Sequence, residues 1–312
     1  MIQYFKIINQ QTIEIDKLEN GTWVNLVPPF KEEEFIELSN ALTIPIEFLR
    51  DSLDIDERPR FELYDNTKFI VIKTPTENNS FNDSDAFYIT IPICIILTDH
   101  QIVTVNSFDN GAIKKFLNSF QRRNPENRSM MVLKIFEKVV QNFMEFLKEV
   151  NQRRNKYETS LYESNSNEDL LNLMRIQKSL VYFITALRSN EMLLMKLERT
   201  NFLGLTDEEK EFMLDLIVDT SQALEMANTY TNILTSSQYA FNSIISNHAN
   251  TVMKRLSAIT IILLLPILVA IIFSMNTLIT ISIPSFTFNI TIAVTIIISV
   301  IISTYFIKKK WF

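Results

Sequence analysis

Hydrophobic and polar positions follow three patterns along the chain, and each predicts a different kind of element. In residues 1–125 the apolar positions gather in short runs rich in β-branched and aromatic residues. Residues 13–15, 23–26, 68–73, 87–97 and 102–105 read as strands. Pro28-Pro29 breaks the chain before a helical stretch at 31–42, with Phe35, Ile36, Leu38 and Leu42 near one face. Short helices are predicted over 45–53 and 110–123. Residues 78–85 read as a polar hairpin loop, and Asp99-His100 as a turn. The first 125 residues are therefore expected to form an α/β domain.

From about Ser129 the strand signal disappears and apolar residues recur at helical spacing: Val132, Ile135, Phe136, Val139, Phe143, Phe146, Leu147 and Val150. A polar turn at 164–167 leads to a second helix, about 168–199, with Leu171, Leu173, Met174, Ile176, Leu180 and Phe183. Residues 126–205 thus read as a helical hairpin. Thr206-Asp207-Glu208-Glu209 has the spacing of a capping box, which marks a helix start. No proline follows until Pro266. A helix continuous from the capping box at Thr206 to Asn276 spans on the order of 100 Å at 1.5 Å per residue, too long for a compact domain. It predicts a stalk, 206–255, that runs on into a membrane.

The third pattern is continuous apolarity. From Leu256 to Phe273 only Ser257 and Thr260 are polar, and residues 288–307 also carry no charge. Each run is long enough to cross a hydrocarbon core as a helix, over 256–276 and 288–307. Lys254 and Arg255 precede the first span, Lys308, Lys309 and Lys310 follow the second, and the connecting loop, 277–287, is uncharged. Positive residues favour the cytoplasmic side, so both termini are expected in the cytoplasm, with the loop outside and 308–312 forming a basic cytosolic tail. The expected location is the cell (inner) membrane, multi-pass. The first residues show no basic stretch followed by an apolar one, so no signal peptide is expected.

Charge and chemistry narrow the picture. The formal net charge of −6 combines −9 in the residues up to Arg255 with three closing lysines, the only charged residues after it. An acidic soluble region argues against nucleic acid and suits the attraction of cations. Cys94 is the only cysteine, so one chain holds no disulfide framework, and its apolar strand-like surroundings predict a buried, inert thiol. There is no glycine-rich phosphate loop and no plausible Ser/His/Asp or Cys/His constellation. Neither an enzyme nor an organic cofactor is expected. His100 reads as a solvated loop residue; His248 reads as a solvated stalk residue or a proton sensor near the inner mouth.

Five fragments in order carry a family resemblance. They are residues 51–62 (Asp51-Ser52-Leu53-Asp54-Ile55-Asp56-Glu57-Arg58-Pro59-Arg60-Phe61-Glu62), residues 245–256 leading into the first span, Pro266 within it, Ser274-Met275-Asn276 closing it, and the final Lys-Lys-Lys-Trp. Together they resemble the CorA-type divalent-cation channel family over nearly the whole chain. The resemblance implies a funnel-shaped homopentamer in a lipid bilayer, with the first span lining a pore for hydrated Mg2+ that enters the cytosol along the membrane potential. It makes Ser274, Met275 and Asn276 the selectivity filter, with Asn276 from each subunit holding a hydrated cation at the outer mouth. Neutral amide oxygens suit that task, because Mg2+ dehydrates reluctantly and its waters donate hydrogen bonds to such oxygens. Counting back by threes and fours gives Ile271, Ile267, Leu264, Thr260, Ser257, Met253 and Asn250 as the lining face, with Met253 and Leu256 as the inner constriction; alternatively these residues pack helix on helix. The resemblance further implies a regulatory Mg2+ between neighbouring soluble domains, bridging Asp51 and Asp215. Asp219 lies one turn beyond Asp215.

Two departures bear on selectivity and rate. The family's Gly-Met-Asn is here Ser-Met-Asn, and serine adds a Cβ that restricts the backbone. The outer loop has none of the acidic residues that would concentrate cations. A preference for Co2+, Ni2+ or Zn2+, in uptake or efflux, therefore stays open, as does a non-conducting, membrane-anchored cation sensor.

Overall fold

The computed structural model describes residues 2–8, 11–78, 86–106, 111–120, 127–164, 167–276 and 285–309. The polar segment predicted at 78–85 and the turn at 164–167 fall mostly outside these residues. Two compact units make up the chain, Met1–Thr235 and Ser236–Phe312.

The first unit holds one seven-stranded sheet. Its strands are β1 (Ile2–Ile8), β2 (Gln11–Ile15), β3 (Trp23–Leu26), β4 (Arg60–Tyr64), β5 (Thr67–Glu77), β6 (Tyr88–Leu97) and β7 (Ile102–Asn106), in the order β2-β1-β3-β7-β6-β5-β4. β3 and β7 pair in parallel, Trp23 opposite Ile102; the other pairings among the described residues are antiparallel. Central β6 is buried along nearly its whole length, which explains its almost unbroken apolar sequence.

Two of these strands, β1 and β4, are absent from the sequence reading. β4, Arg-Phe-Glu-Leu-Tyr, is an edge strand with only partly covered side chains, so it lacks the apolar run that betrays a buried strand. Its ladder with β5 sets Arg60 opposite Val71 and Tyr64 opposite Thr67.

Helices α1 (Glu32–Leu42) and α2 (Ile46–Asp51) cover one face of the sheet. Phe35, Leu38, Phe48 and Leu49 meet Val24, Phe69, Val71, Cys94 and Val103 in a common core. Cys94 is fully buried there, and that burial pushes its thiol pKa up to about 12, so it is inert as expected. The other face carries α3 (Gly111–Phe120), α4 (Arg128–Ser164) and α5 (Asn167–Thr200). Phe116 of α3 sets its ring edge-on to Trp23 at 5.1 Å, and Phe143 and Phe183 of α4 and α5 meet edge-on at 5.7 Å.

Polar residues fix the position of α4 and α5 on the sheet. Asn190 accepts from the Lys73 backbone N–H at 3.0 Å and donates to the Lys73 carbonyl at 2.7 Å, standing in for a strand partner. Asn142 donates to Thr74 Oγ1 and the Pro75 carbonyl, and Ser179 Oγ accepts from the Tyr88 N–H. All three polar side chains are buried, and each satisfies a backbone group or hydroxyl that would otherwise be stranded.

Gly204 closes the turn after α5 with φ of +69°, a conformation costly for any side chain. Then α6 (Asp207–Asn276) begins; it is one helix of 70 residues with Pro266 inside it. Its start is the predicted capping box. Thr206 N–H donates to Glu209 Oε2 at 2.8 Å, and the Glu209 N–H donates back to Thr206 Oγ1. Asn127 ties a second helix start to it. Its Oδ1 accepts from the Met130 N–H at the head of α4, while its Nδ2 donates to Glu209 Oε1 at 2.7 Å.

Candidate functional site

The second unit consists of the C-terminal part of α6 and of α7 (Ser285–Lys308), both long and apolar enough to cross a membrane. α7 starts ahead of residue 288. Ser285 and Thr287 carry hydroxyls and so fall outside an apolar run, yet such residues suit a helix start. Pro266 removes one backbone donor without ending α6, which membrane helices tolerate.

The expected lining residues share one side of α6. Asn250, Met253, Ser257, Thr260, Leu264, Ile267 and Ile271 are all exposed in the single chain, as is Leu256. Between residues 250 and 271 the buried or half-buried positions of that helix are Ala258, Ile262, Leu265 and Val269. At 100° per residue the centres of these two sets lie about 140° apart around the helix axis. A groove of about 510 Å3 between the two helices is lined by Ile262, Pro266 and Val269 of α6 and by Ile296, Ser299 and Val300 of α7. The expected lining face is thus turned away from the side that α7 occupies. Ile259, Leu263 and Leu268 are exposed as well, so exposure alone does not single out that face.

Thr260 donates its hydroxyl to the Leu256 carbonyl at 2.9 Å. With its proton so used, the exposed hydroxyl oxygen can act toward solvent only as an acceptor, the polarity a cation's waters require. Ser274, Met275 and Asn276 form the last turn of α6 by their backbone; their side chains lie outside the described residues. His248 is exposed on α6, and His100 is exposed in its turn.

The two expected regulatory carboxylates differ sharply. Asp51 ends α2 and accepts from Arg60 Nη2 at 2.9 Å. Arg60 also holds Glu62 through Nε at 2.6 Å and Glu57 through Nη1, and its guanidinium lies 5.4 Å from the centre of the Phe69 ring. Nearby, Lys73 donates to the Ile55 carbonyl at 3.1 Å. Burial lowers its pKa, against the opposing pull of Asp56 and Asp54.

Asp215 lies on the exposed side of α6, whose opposite side buries Met213 and Leu216. It has no hydrogen bond or ion pair with another described residue, and Asp219 is exposed one turn on. Among the described residues no three His, Cys, Asp or Glu side chains converge as a metal site, so Asp51 and Asp215 do not complete one within a single chain. Arg60 is the functional candidate the sequence reading passed over. Its only signal was an arginine placed among the acids of residues 51–62.

A mixed α/β domain with a helical hairpin, followed by one long helix whose C-terminal part is membrane-length and apolar and by a second apolar helix, defines a two-span membrane protein with a large soluble part. Residues 19–309 match the family model described as CorA-like Mg2+ transporter protein, and the chain belongs to that family. It is 26% identical over 257 residues to the cobalt/magnesium transport protein CorA of Methanocaldococcus jannaschii, covering 81% of this chain and 79% of that protein. The protein of the same name from Thermotoga maritima is 21% identical over 301 residues, 93% of this chain and 83% of its own. The complete structure of the CorA magnesium transporter from M. jannaschii superposes with a TM-score of 0.85 at 23% identity, covering 100% of this chain and 99% of that one. The architecture is therefore that of full-length CorA.

Proposed function

We propose that the chain forms a homopentameric channel that carries hydrated Mg2+ into the cytosol along the membrane potential. The observation that carries this reading is the α6 face from Asn250 to Ile271, which is turned away from α7 and leads to Asn276. Five copies of that face around an axis make a path with amide oxygens at its outer end, apolar rings along its upper half, and hydroxyls and an amide below. Asn276 carbonyls accept hydrogen bonds from the ion's waters and hold it weakly enough for release. Leu264, Ile267 and Ile271 form apolar rings that water leaves readily, and Met253 and Leu256 narrow the inner end. An inside-negative potential supplies about 2.3 kcal/mol per elementary charge per 100 mV, so a divalent ion needs no nucleotide to enter.

Cytosolic Mg2+ closes the path by bridging Asp51 of one subunit to Asp215 of its neighbour. Without the ion the facing carboxylates repel and the closed arrangement loosens. Both termini lie in the cytoplasm, where Lys254, Arg255 and the final lysines favour them. A second ion fits the same path: both relatives are named cobalt/magnesium transport proteins, which supports Co2+ as an alternative cargo.

The test is ion flux into proteoliposomes under an inside-negative potential. Native protein should admit Mg2+, and Asn276→Ala should lose most of that flux. Equal flux in both would remove Asn276 from the filter. A native pentamer that passes Co2+ but not Mg2+ would favour the second cargo, and one that passes neither would be a sensor rather than a channel.

A further inference from the structure

The carboxylate assigned to the regulatory cation is already engaged by a cation of the chain's own. Arg60 spends a different nitrogen on each of three carboxylates: Nη2 on Asp51 at 2.9 Å, Nε on Glu62 at 2.6 Å, and Nη1 on Glu57. The Phe69 ring supports the guanidinium from within the domain. The Asp51 side chain is 41% exposed and that of Arg60 31%, so ions from solution reach both. Three carboxylates around one guanidinium leave an excess of negative charge, which draws cations. Asp215, the other expected bridging group, has no such partner among the described residues.

We infer that Arg60 is a built-in counter-cation that competes with the regulatory divalent ion for Asp51, and so raises the concentration at which that ion closes the protein. This rests on the reading of Asp51 and Asp215 given above. Arginine stays protonated at any physiological pH, so the competitor is always present. The guanidinium has enough donors to release Asp51 from Nη2 while Nε and Nη1 stay on Glu62 and Glu57. The arriving ion then still faces a fixed positive charge nearby. Competition and residual repulsion act in the same direction, and both weaken divalent binding. The opposite role, in which Arg60 aims Asp51 at the ion, would strengthen binding, so the sign of the effect separates the two.

The measurement is Mg2+-dependent protection of the full-length, detergent-solubilised protein from trypsin, which requires no conduction. Native protein is compared with Arg60→Gln, Arg60→Lys and Asp51→Asn. Arg60→Gln should lower the half-protecting Mg2+ concentration by about two- to fivefold, the factor an exposed ion pair supplies. Arg60→Lys should fall between it and native, since lysine keeps the charge and loses the planar fork. Asp51→Asn should abolish the protection. An unchanged or raised half-protecting concentration in Arg60→Gln, with Asp51→Asn still inactive, would overturn the role of Arg60 alone. Protection that survives Asp51→Asn, or that native protein lacks, would overturn the site on which the inference rests. If Arg60→Gln does not fold, Arg60→Lys decides: a lower half-protecting concentration supports competition, and an unchanged or higher one refutes it.

Discussion

In Met1–Thr235 a large set of apolar side chains bury one another in a core. Phe69, Val71, Ile93, Cys94, Leu147, Phe143 and Phe183 have no exposed surface at all. In Ser236–Phe312 the apolar content is higher, yet among the described residues only Phe241, Ala258 and Phe306 are buried. The contrast shows what each unit lacks. The soluble unit encloses a large apolar core within one chain, although Leu63, Val181, Met192 and Val218 stay exposed on its surface. The membrane unit does not, and its exposed leucines and isoleucines fit a surrounding of lipid and neighbouring helices, where packing rather than water exclusion drives association.

The comparison breaks most directly if large-to-small changes act alike in the two units. Phe183 is fully enclosed by Tyr88, Phe143 and Phe146. Phe183→Ala should cost about 3–5 kcal/mol, through lost burial plus the cavity left behind. Denaturant unfolding of the full-length protein, followed by hydrogen exchange in β5 and β6, would report it. Leu264, 53% exposed on α6, should behave differently. Leu264→Ala should leave exchange in the soluble unit unchanged and alter only the yield of assembled protein or its ion flux. A comparable loss of soluble-unit stability from Leu264→Ala would show that the units are not independent in this respect.

A smaller effect sharpens how the helices are held to the sheet. Asn190→Ala would strand the N–H and C=O of Lys73 beneath α5. Each unsatisfied buried group costs about 1–3 kcal/mol, so the variant should destabilise even though it removes little apolar area. Asn190→Asp keeps the acceptor for the Lys73 N–H but sets a carboxylate against the Lys73 carbonyl. It should rescue little.

These residues also show where a sequence is legible and where it is not. Strand β6 could be read because both its faces are buried, leaving an apolar run that no local alternative explains. The helical hairpin and long helix could be read from period and capping. The Thr206–Glu209 pairing appears in the sequence at its working spacing. The candidate lining face follows from counting back by threes and fours from Ser274, because a helix fixes which positions share a side. By contrast, Asn142, Ser179 and Asn190 look like ordinary polar helix residues. Their role depends on which strand lies beneath them, a long-range fact. The same holds for Arg60, whose hold on Asp51 depends on the chain returning as β4 after α2.

The smallest effect concerns the head of α6, where that helix starts within the soluble unit. Glu209 is buried, and burial alone would raise its pKa. The hydrogen bonds from the Thr206 N–H, from Asn127 and from the Thr206 hydroxyl outweigh that and hold it below the ordinary glutamate value. A lowered folded-state pKa adds stability that is present above the ordinary glutamate range and is lost as pH falls through the folded value. Glu209→Gln should therefore cost about 1 kcal/mol near neutrality, the usual size of a lost capping interaction. The gap between native and variant should close on acidification, as the native carboxylate takes up its proton and becomes a poorer acceptor. Urea midpoints of both proteins between neutral pH and the lower end of the glutamate range would measure it. A gap that stays constant with pH would mean that shape and hydrogen bonding hold the head of α6 to Asn127 without help from the charge.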